Sequence, residues 1–159
     1  MTDLVVVIPS RGRPRQAGQL AGAFAATCTA DTELVFAVDD DDPTRGDYPQ
    51  RLTAALPSRS MNEALNAVAV KEAADAFAVG FMGDDHRPRT VGWDERYLTA
   101  LRELGTGIVY GNDLMQGAAL PTQCAMTADI VRALGYMAPP VLTHLWLDNF
   151  WLSLGNEAT

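Results

Sequence analysis

Short apolar runs alternate with stretches of helical periodicity along most of the chain. Apolar runs are typical of buried strands, and they predict strands at residues 4–8, 33–38, 77–82 and 107–110. Apolar positions three or four residues apart predict helices, at residues 15–27, 61–75, 92–104, 127–134 and 142–154. This alternation predicts one α/β domain over residues 1–159, with a Rossmann-like, mostly parallel sheet flanked by helices.

Two acidic clusters stand where apolar runs stop. Residues 39–42 are four consecutive aspartates after the second run, and Asp84-Asp85-His86 follows the third run. Open α/β sheets bind ligands in the crevice outside the carboxyl ends of their strands. The two clusters therefore predict one site that holds a divalent metal and a nucleotide.

The charge of the chain limits its partners. A net charge of −8 argues against broad, non-specific binding to nucleic acid through the phosphate backbone. Basic residues nevertheless concentrate after the first strand: Arg11, Arg13 and Arg15 against Asp3 give residues 1–30 a net charge of +2, three minus one. An anionic small ligand is compatible with this local balance.

The sequence carries no sign of membrane insertion or secretion. No apolar stretch approaches the roughly 18 residues that span a bilayer, and the first residues lack the basic segment of a secretory signal. We therefore expect a cytoplasmic protein without a membrane span. Cys28 and Cys124 are far apart in the chain, and in a reducing compartment we expect both to be buried free thiols.

The second acidic cluster suits a hard cation. Mg²⁺ and Mn²⁺ prefer oxygen ligands and commonly bind through one or two carboxylates plus substrate phosphates. One of the two carboxylates, Asp84 or Asp85, can reach the metal while its neighbour reaches a ribose hydroxyl or a second water. A nitrogen of His86 can add a further ligand. The alternative is a solvated turn, because Asp is common in turns.

The first acidic cluster suits recognition of a base. A carboxylate of Asp39 or Asp40 can accept the imide N–H of uracil or thymine, although guanine also offers N–H donors. Asp41 and Asp42 are expected to lie in a solvated loop, because four adjacent like charges resist burial together.

Two arginines follow the first strand. The guanidinium groups of Arg11 and Arg13 suit phosphate oxygens, and surface charge is the alternative for each.

The predicted last helix carries a lone acid among apolar residues. His144 and Asp148 are four residues apart, which places them on one helix face about 6 Å apart. An acid in such a helix needs a partner or a chemical task. We predict a catalytic role for Asp148, with His144 as a weaker candidate for catalysis. A helix cap or a buried hydrogen bond is the structural alternative.

Taken in order, these segments resemble the nucleotide-sugar-dependent glycosyltransferases of the GT-A fold, especially family 2. The matching segments are Val7-Ile8-Pro9-Ser10-Arg11, Val38-Asp39-Asp40, Phe81-Met82-Gly83-Asp84-Asp85-His86 and Leu147-Asp148-Asn149. The resemblance implies a GT-A type fold with Pro9 and Ser10 beside the base and Arg59 also at the nucleotide sugar. It further implies a metal on Asp85 and His86, with Asp84 at a ribose hydroxyl or a metal-bound water. Asp148 is implied as the catalytic base. Two positions depart from the family pattern: His86 replaces an Asp, and Leu147 replaces a Glu.

The function implied is transfer of a sugar from a nucleotide diphosphate sugar to an acceptor hydroxyl, with inversion and with Mn²⁺ or Mg²⁺. The acceptor is open: a lipid, a glycan, a protein, a nucleobase or a small molecule. Two alternatives remain, a nucleotidyltransferase that makes nucleotide sugars and a non-catalytic nucleotide- or sugar-binding module. The loop at residues 9–13 has a single glycine, whereas nucleotidyltransferases usually carry a Gly-rich loop there. Since family members usually continue further, we expect either a C-terminal truncation or a minimal catalytic core.

Overall fold

A computed structural model describes residues 2–49, 53–57, 60–143 and 145–157. Within these ranges a mixed sheet is flanked by five α-helices. The strands are β1 Leu4–Ser10, β2 Thr32–Asp39, β3 Thr53–Leu56, β4 Ala78–Phe81, β5 Ile108–Val109 and β6 Cys124–Thr127. The helices are α1 Pro14–Thr27, α2 Met61–Glu72, α3 Trp93–Leu104, α4 Ala128–Leu134 and α5 Leu147–Glu157, with one 3₁₀ turn at Arg45–Asp47.

The six strands are ordered β3-β2-β1-β4-β6-β5. Strands β1 to β4 run parallel, whereas β6 pairs antiparallel with both β4 and β5. The chain moves outward from β1 through β2 to β3 and then returns to place β4 on the other side of β1. The carboxyl ends of β1 and β4 therefore flank a topological switch point, where α/β sheets bind their ligands.

Two apolar layers cover the sheet, one on each face. Strand β1 divides between them by simple alternation: Val5 and Val7 face one layer, while Leu4, Val6 and Ile8 face the other. This is the two-residue period of a strand buried on both sides. Helices α2, α4 and α5 contribute to the first layer, and α1 and α3 contribute to the second.

The predicted fold class, a mostly parallel α/β sheet flanked by helices, is confirmed. Most predicted elements lie within a few residues of the observed ones, and the faces predicted to be buried carry fully buried side chains such as Leu20, Leu65 and Leu101. Strands β3 and β6 were not predicted. Both are only four residues long, and neither contains an apolar run long enough to predict a strand.

The start of the last helix was predicted wrongly. Helix α5 begins at Leu147 rather than at residue 142, so Asp148 lies in its first turn and not in its middle. An acid in the first turn is stabilised by the helix dipole. His144 lies outside the described residues, so its predicted pairing with Asp148 stays a prediction.

Two smaller details concern helix starts and cysteines. The Ser60 hydroxyl caps α2 by accepting the Glu63 N–H at 3.2 Å, whereas the hydroxyl of Thr127, which precedes α4, accepts the Gly107 N–H instead. Cys124 is buried and Cys28 is partly buried, both as free thiols. No helix among the described residues is long and apolar enough to cross a membrane.

Candidate active site

A pocket of about 930 Å³ opens at the carboxyl ends of β1, β2 and β4. The first turn of α5 and the start of α2 close its other side. The predicted site residues that line it are Pro9, Ser10, Arg11, Arg13, Asp39, Asp84, Asp85, His86 and Asp148. Segments far apart in the sequence therefore converge on one cavity at the switch point of the sheet.

A one-way chain of hydrogen bonds crosses the switch point from β1 to β4. The Arg13 backbone N–H donates to the Tyr48 hydroxyl at 2.9 Å, and the Ser10 hydroxyl donates to Asp84 Oδ2 at 2.6 Å. Tyr48 Oη and Ser10 Oγ lie 2.9 Å apart. Because the single hydroxyl proton of Ser10 is committed to a carboxylate, Tyr48 is the donor in the middle bond.

Asp84 is thus held on both of its oxygens. Its second oxygen, Oδ1, accepts from the Arg13 guanidinium at 3.1 Å, and the residue is only 6% exposed. A buried carboxylate is tolerated when it is paired and hydrogen-bonded in this way. Tyr48 was missed by the sequence analysis, because it stands in a polar loop with no motif around it.

Arg11 is paired with aspartates of the first acidic cluster. Its Nη1 lies 2.6 Å from Asp39 Oδ2 and 2.5 Å from Asp41 Oδ1. The bonds from both carboxylates, Asp41 before Asp39, raise the pKa of Arg11 above its ordinary value. The predicted base-binding acid and the predicted phosphate-binding arginine therefore meet each other at the pocket wall.

The expectation that Asp42 is solvated was wrong. Asp42 is 4% exposed and accepts the backbone N–H groups of Gly12 and Thr44, each at 2.7 Å, and the Thr44 hydroxyl at 2.8 Å. Burial raises the pKa of Asp42, but these hydrogen bonds together lower it by a larger amount, so the net shift of the pKa is downward. Asp42 therefore joins the loop after β2 to the loop after β1.

Asp85 faces outward, unlike Asp84. Its side chain is exposed, lines the pocket, and has no hydrogen bond or ion pair from another described residue. Gly83 makes room for it, since a Cβ at that position would come within 2.8 Å of Asp85 Oδ1. An open carboxylate at this edge fits one oxygen ligand of a hard cation.

Among the described residues, no three His, Cys, Asp or Glu side chains are placed to hold a metal together. Ligation by one carboxylate and a diphosphate does not need such a group. His86 Nδ1 accepts the Gly83 N–H at 3.2 Å, so its Nε2 carries the proton of the neutral ring. In this arrangement His86 offers a hydrogen-bond donor to the pocket, and metal ligation through Nε2 requires the other tautomer.

Asp148 is the acid on the opposite wall of the pocket. Its side chain is partly buried and has no hydrogen bond or ion pair with another described residue. Burial and then the charge of Asp148 raise the pKa of Cys124, the residue at which β6 begins. The helix that carries Asp148 is fixed by Trp151, whose indole N–H donates to the Met137 carbonyl at 3.0 Å.

Two asparagines of α2 hold the segment that leads into α5. Asn66 Oδ1 accepts the N–H groups of Met137 and Ala138 at 2.9 and 2.8 Å, and its Nδ2 donates to the Ala138 carbonyl at 2.7 Å. Asn62 Nδ2 donates to the Leu142 carbonyl. These bonds hold the backbone at residues 137, 138 and 142 against α2, ahead of the helix that carries Asp148.

The pocket has two halves with different internal pairing. The paired half comprises Ser10, Arg11, Arg13, Asp39 and Asp84, whose polar groups bond to one another or to neighbouring loops. The open half comprises Asp85, Trp146, Asp148 and Asn149, whose side chains make no hydrogen bond or ion pair with other described residues.

Three predicted residues are not seen at the pocket. Asp40 is exposed and is not among the described residues that line the cavity. Its backbone is held instead, with the N–H bonded to the Leu56 carbonyl and the carbonyl bonded to Arg45. Arg59 and His144 lie outside the described residues.

A second pocket of about 620 Å³ adjoins the first and shares Asp85 and His86 with it. Its far wall includes residues 111–114, in the loop that joins β5 to β6. Asp113 organises that loop: Oδ1 accepts the N–H groups of residues 115–117, and Oδ2 accepts the Thr122 hydroxyl at 2.7 Å. Thr122 in turn lines the main pocket.

Comparisons with known proteins bear on the fold. The chain matches no protein-family model, and no curated protein matches its sequence. Among solved structures, its fold is similar to that of S. aureus TarS, a glycosyltransferase, with a TM-score of 0.69 over 97% of this chain at 13% identity. A structure of TarS 1–349 gives a TM-score of 0.64 over 94% of this chain at 15% identity.

The chain spans only part of these neighbours, 33% of the first TarS chain and 54% of the second. At these identities the likeness concerns the fold. The chain has a mixed α/β architecture, with a mostly parallel six-stranded sheet, similar to the fold of the TarS glycosyltransferase.

Proposed function

We propose that this chain is a glycosyltransferase domain that moves a sugar from a nucleotide diphosphate sugar to an acceptor hydroxyl, with inversion and with help from a divalent cation. The proposal includes the GT-A, family 2-like assignment made from the sequence motifs. The observation that carries it is the convergence of nine predicted site residues on one pocket at the switch point. The fold shared with a glycosyltransferase agrees with it.

The paired half of the pocket suits the nucleotide. Asp39 and Arg11 form a polar rim at the ends of β1 and β2, where a base can exchange hydrogen bonds with a carboxylate and a guanidinium. Asp84 is already satisfied by Ser10 and Arg13, so its role is to keep the floor beneath a ribose in a fixed shape. Preorganised polar walls reduce the ordering cost of binding.

The diphosphate is expected at the edge formed by Asp85 and His86. His86 Nε2–H can donate to a phosphate oxygen, and Asp85 is the carboxylate that would hold the cation. When bound, a divalent cation supplies charge neutralisation for the departing diphosphate, an effect worth several kcal/mol.

The open half suits the acceptor and the chemical step. The acceptor oxygen forms a bond to the anomeric carbon while the bond from that carbon to the diphosphate oxygen breaks. The nucleoside diphosphate leaves with the electron pair of the broken bond. The acceptor proton passes to the Asp148 carboxylate, which has no described protein partner competing for it. General-base catalysis of this kind typically contributes about 10²–10⁴-fold.

Calorimetry with nucleotides tests the proposal. We expect UDP, GDP or dTDP to bind, and one of them to bind more tightly with Mn²⁺ than with a chelator. Binding that ignores the metal would remove the cation from the proposal, and failure of all three nucleotides would overturn it.

A matched variant assigns the metal contact. Asp85→Asn removes one carboxylate charge at an exposed position without disturbing a described hydrogen bond. We expect it to abolish the gain in affinity from Mn²⁺ while leaving metal-free nucleotide affinity within about twofold. An Asp85→Asn variant with full Mn²⁺ dependence would exclude Asp85 as the ligand.

Product analysis separates the other two functions. Pyrophosphate released from a nucleoside triphosphate and a sugar phosphate would identify a nucleotidyltransferase. Nucleotide binding without donor hydrolysis or transfer would identify a non-catalytic module. We expect neither result, and instead slow release of nucleoside diphosphate from the donor sugar.

A further inference from the structure

Trp146 is an exposed aromatic residue on a backbone that bulky side chains avoid. Its φ is +74°, in the left-handed region where a large non-glycine residue is an outlier. Its side chain is 66% exposed, whereas Trp93 and Trp151 are 7% and 1% exposed. Strained backbone and exposed indole together occur beside a functional pocket, where such outliers tend to concentrate.

The position of Trp146 is set by the helix that follows it. The Trp146 carbonyl accepts the Phe150 N–H at 3.0 Å, which closes the first turn of α5. That turn is anchored in the core by Leu147 and Trp151. Trp146 therefore lines the main pocket next to an anchored helix, two residues before Asp148.

Polar side chains that line the same pocket supply the groups that bind the hydroxyls of a sugar. Asp148, Asn149, Asp85 and Thr122 line the same pocket and offer carboxylate, amide and hydroxyl groups. Sugar rings present an apolar C–H face and a rim of hydroxyls. An aromatic face beside carboxylates and amides matches both parts, since the ring packs on the aromatic and the hydroxyls bond to the polar groups.

We propose that Trp146 is the platform for a sugar ring of the acceptor, so that the acceptor is a carbohydrate. This inference rests on the proposed function, which places the acceptor hydroxyl at Asp148. The paired half of the pocket, proposed for the nucleotide, lies at the ends of β1 and β2, around Ser10 and Asp39. Trp146 instead directly precedes α5, the helix that carries the proposed general base Asp148. A stacked ring there presents its rim hydroxyls toward Asp148.

Intrinsic fluorescence tests the inference directly, because Trp146 is the exposed member of three tryptophans. We expect methyl glucoside or methyl N-acetylglucosaminide, added with UDP and Mn²⁺, to shift the emission to shorter wavelength and to protect it from acrylamide quenching. Sorbitol, which has similar hydroxyls but no ring, is expected to do neither. The accessible quenching component should be absent from Trp146→Ala.

Kinetics with variants provides the second readout. We expect Trp146→Ala to raise the acceptor KM by about 5- to 10-fold with a smaller change in kcat, and Trp146→Phe to restore most of the loss. Val141→Ala is the matched control, because Val141 is 89% exposed and does not line the pocket. Its KM should equal that of the unmodified protein.

The outcomes separate this inference from the proposed function. Nucleotide binding with no effect of either ring sugar on Trp146, or with equal effects from sorbitol, overturns the sugar platform and leaves the transferase proposal standing. Protection that depends on protein concentration rather than on sugar also overturns it, since it identifies contact between copies. Sugar protection without any nucleotide binding overturns the transferase proposal and with it the assignment of the ring to an acceptor, and it identifies Trp146 as part of a sugar-binding site only.

Discussion

The two halves of the main pocket contain similar residues in opposite states. In the paired half, Asp84 is bonded to Ser10 and Arg13, and Asp39 is bonded to Arg11. In the open half, Asp85 and Asp148 face the cavity without a hydrogen bond or ion pair from another described residue. The difference indicates a division of tasks. Paired acids fix the shape of the wall, whereas open acids keep their lone pairs for a ligand or a proton.

The largest effect should come from the open half. We expect Asp148→Asn to lower kcat by about 10²–10⁴-fold with nucleotide affinity and the free energy of unfolding nearly unchanged, because no described bond is lost. Steady-state turnover and urea unfolding measure the two sides. Asp75→Asn is the control, because Asp75 is exposed and lies shortly before the amino end of β4, away from the pocket. Unchanged turnover in Asp148→Asn would contradict its role as base.

The paired half should respond in the reverse way. Asp84→Asn replaces one buried acceptor oxygen with an amide group that faces a donor, so we expect the free energy of unfolding to fall by about 1–3 kcal/mol. Nucleotide affinity should fall as well. Urea unfolding of Asp84→Asn beside Asp85→Asn gives a direct comparison of adjacent acids. Equal stabilities for the two variants would refute the distinction between the halves.

Tyr48 offers a sharper test of the hydrogen-bond chain. Tyr48→Phe removes the hydroxyl that accepts from the Arg13 N–H and donates to Ser10. We expect a loss of about 1 kcal/mol in unfolding free energy and weaker nucleotide binding. Tyr136→Phe is the control, because the Tyr136 hydroxyl has no hydrogen bond to another described residue. A Tyr48→Phe protein as stable as Tyr136→Phe would show that the hydrogen bonds of Tyr48 contribute nothing to the free energy of unfolding.

The smallest effect is a dependence on acidity. The pKa of Asp42 is lower in the folded protein than its ordinary value of 3.8, so its contribution to stability is complete above that value. The contribution is lost as the pH falls through the folded pKa. We expect thermal unfolding midpoints between about pH 6 and pH 3 to fall more in the unmodified protein than in Asp42→Asn. Parallel curves would argue against the described bonds.

The sequence predicted the parts of this molecule that depend on long local patterns. Long apolar runs predict the central strands. Because the carboxyl ends of parallel strands lie together, Ser10, Asp39 and Asp84 are expected at the same end of the sheet. The burial of Asp42 and the role of Tyr48 depend on contacts with a loop about 30 residues earlier. No local pattern contains that information.

The last helix shows a different limit. Apolar residues from 142 onward continue the helical period, but the Ala138 and Leu142 carbonyls are bonded to Asn66 and Asn62 of α2 instead. The acid at the second position of α5 was itself a usable sign of a helix start, since acids favour the first turn. The roles assigned to the pocket residues stay predictions until the variants are measured.

The turn after β4 makes adjacent aspartates unequal in what they can be exchanged for. Asp84 is buried and bonded on both oxygens, to Ser10 and to Arg13, so the extra methylene of a Glu there would move the carboxylate away from both partners. Asp85 points into open space over Gly83, and a Glu there keeps a carboxylate within reach of the cavity. Relatives of this chain should therefore vary freely between Asp and Glu at the second position of the motif and hardly at all at the first.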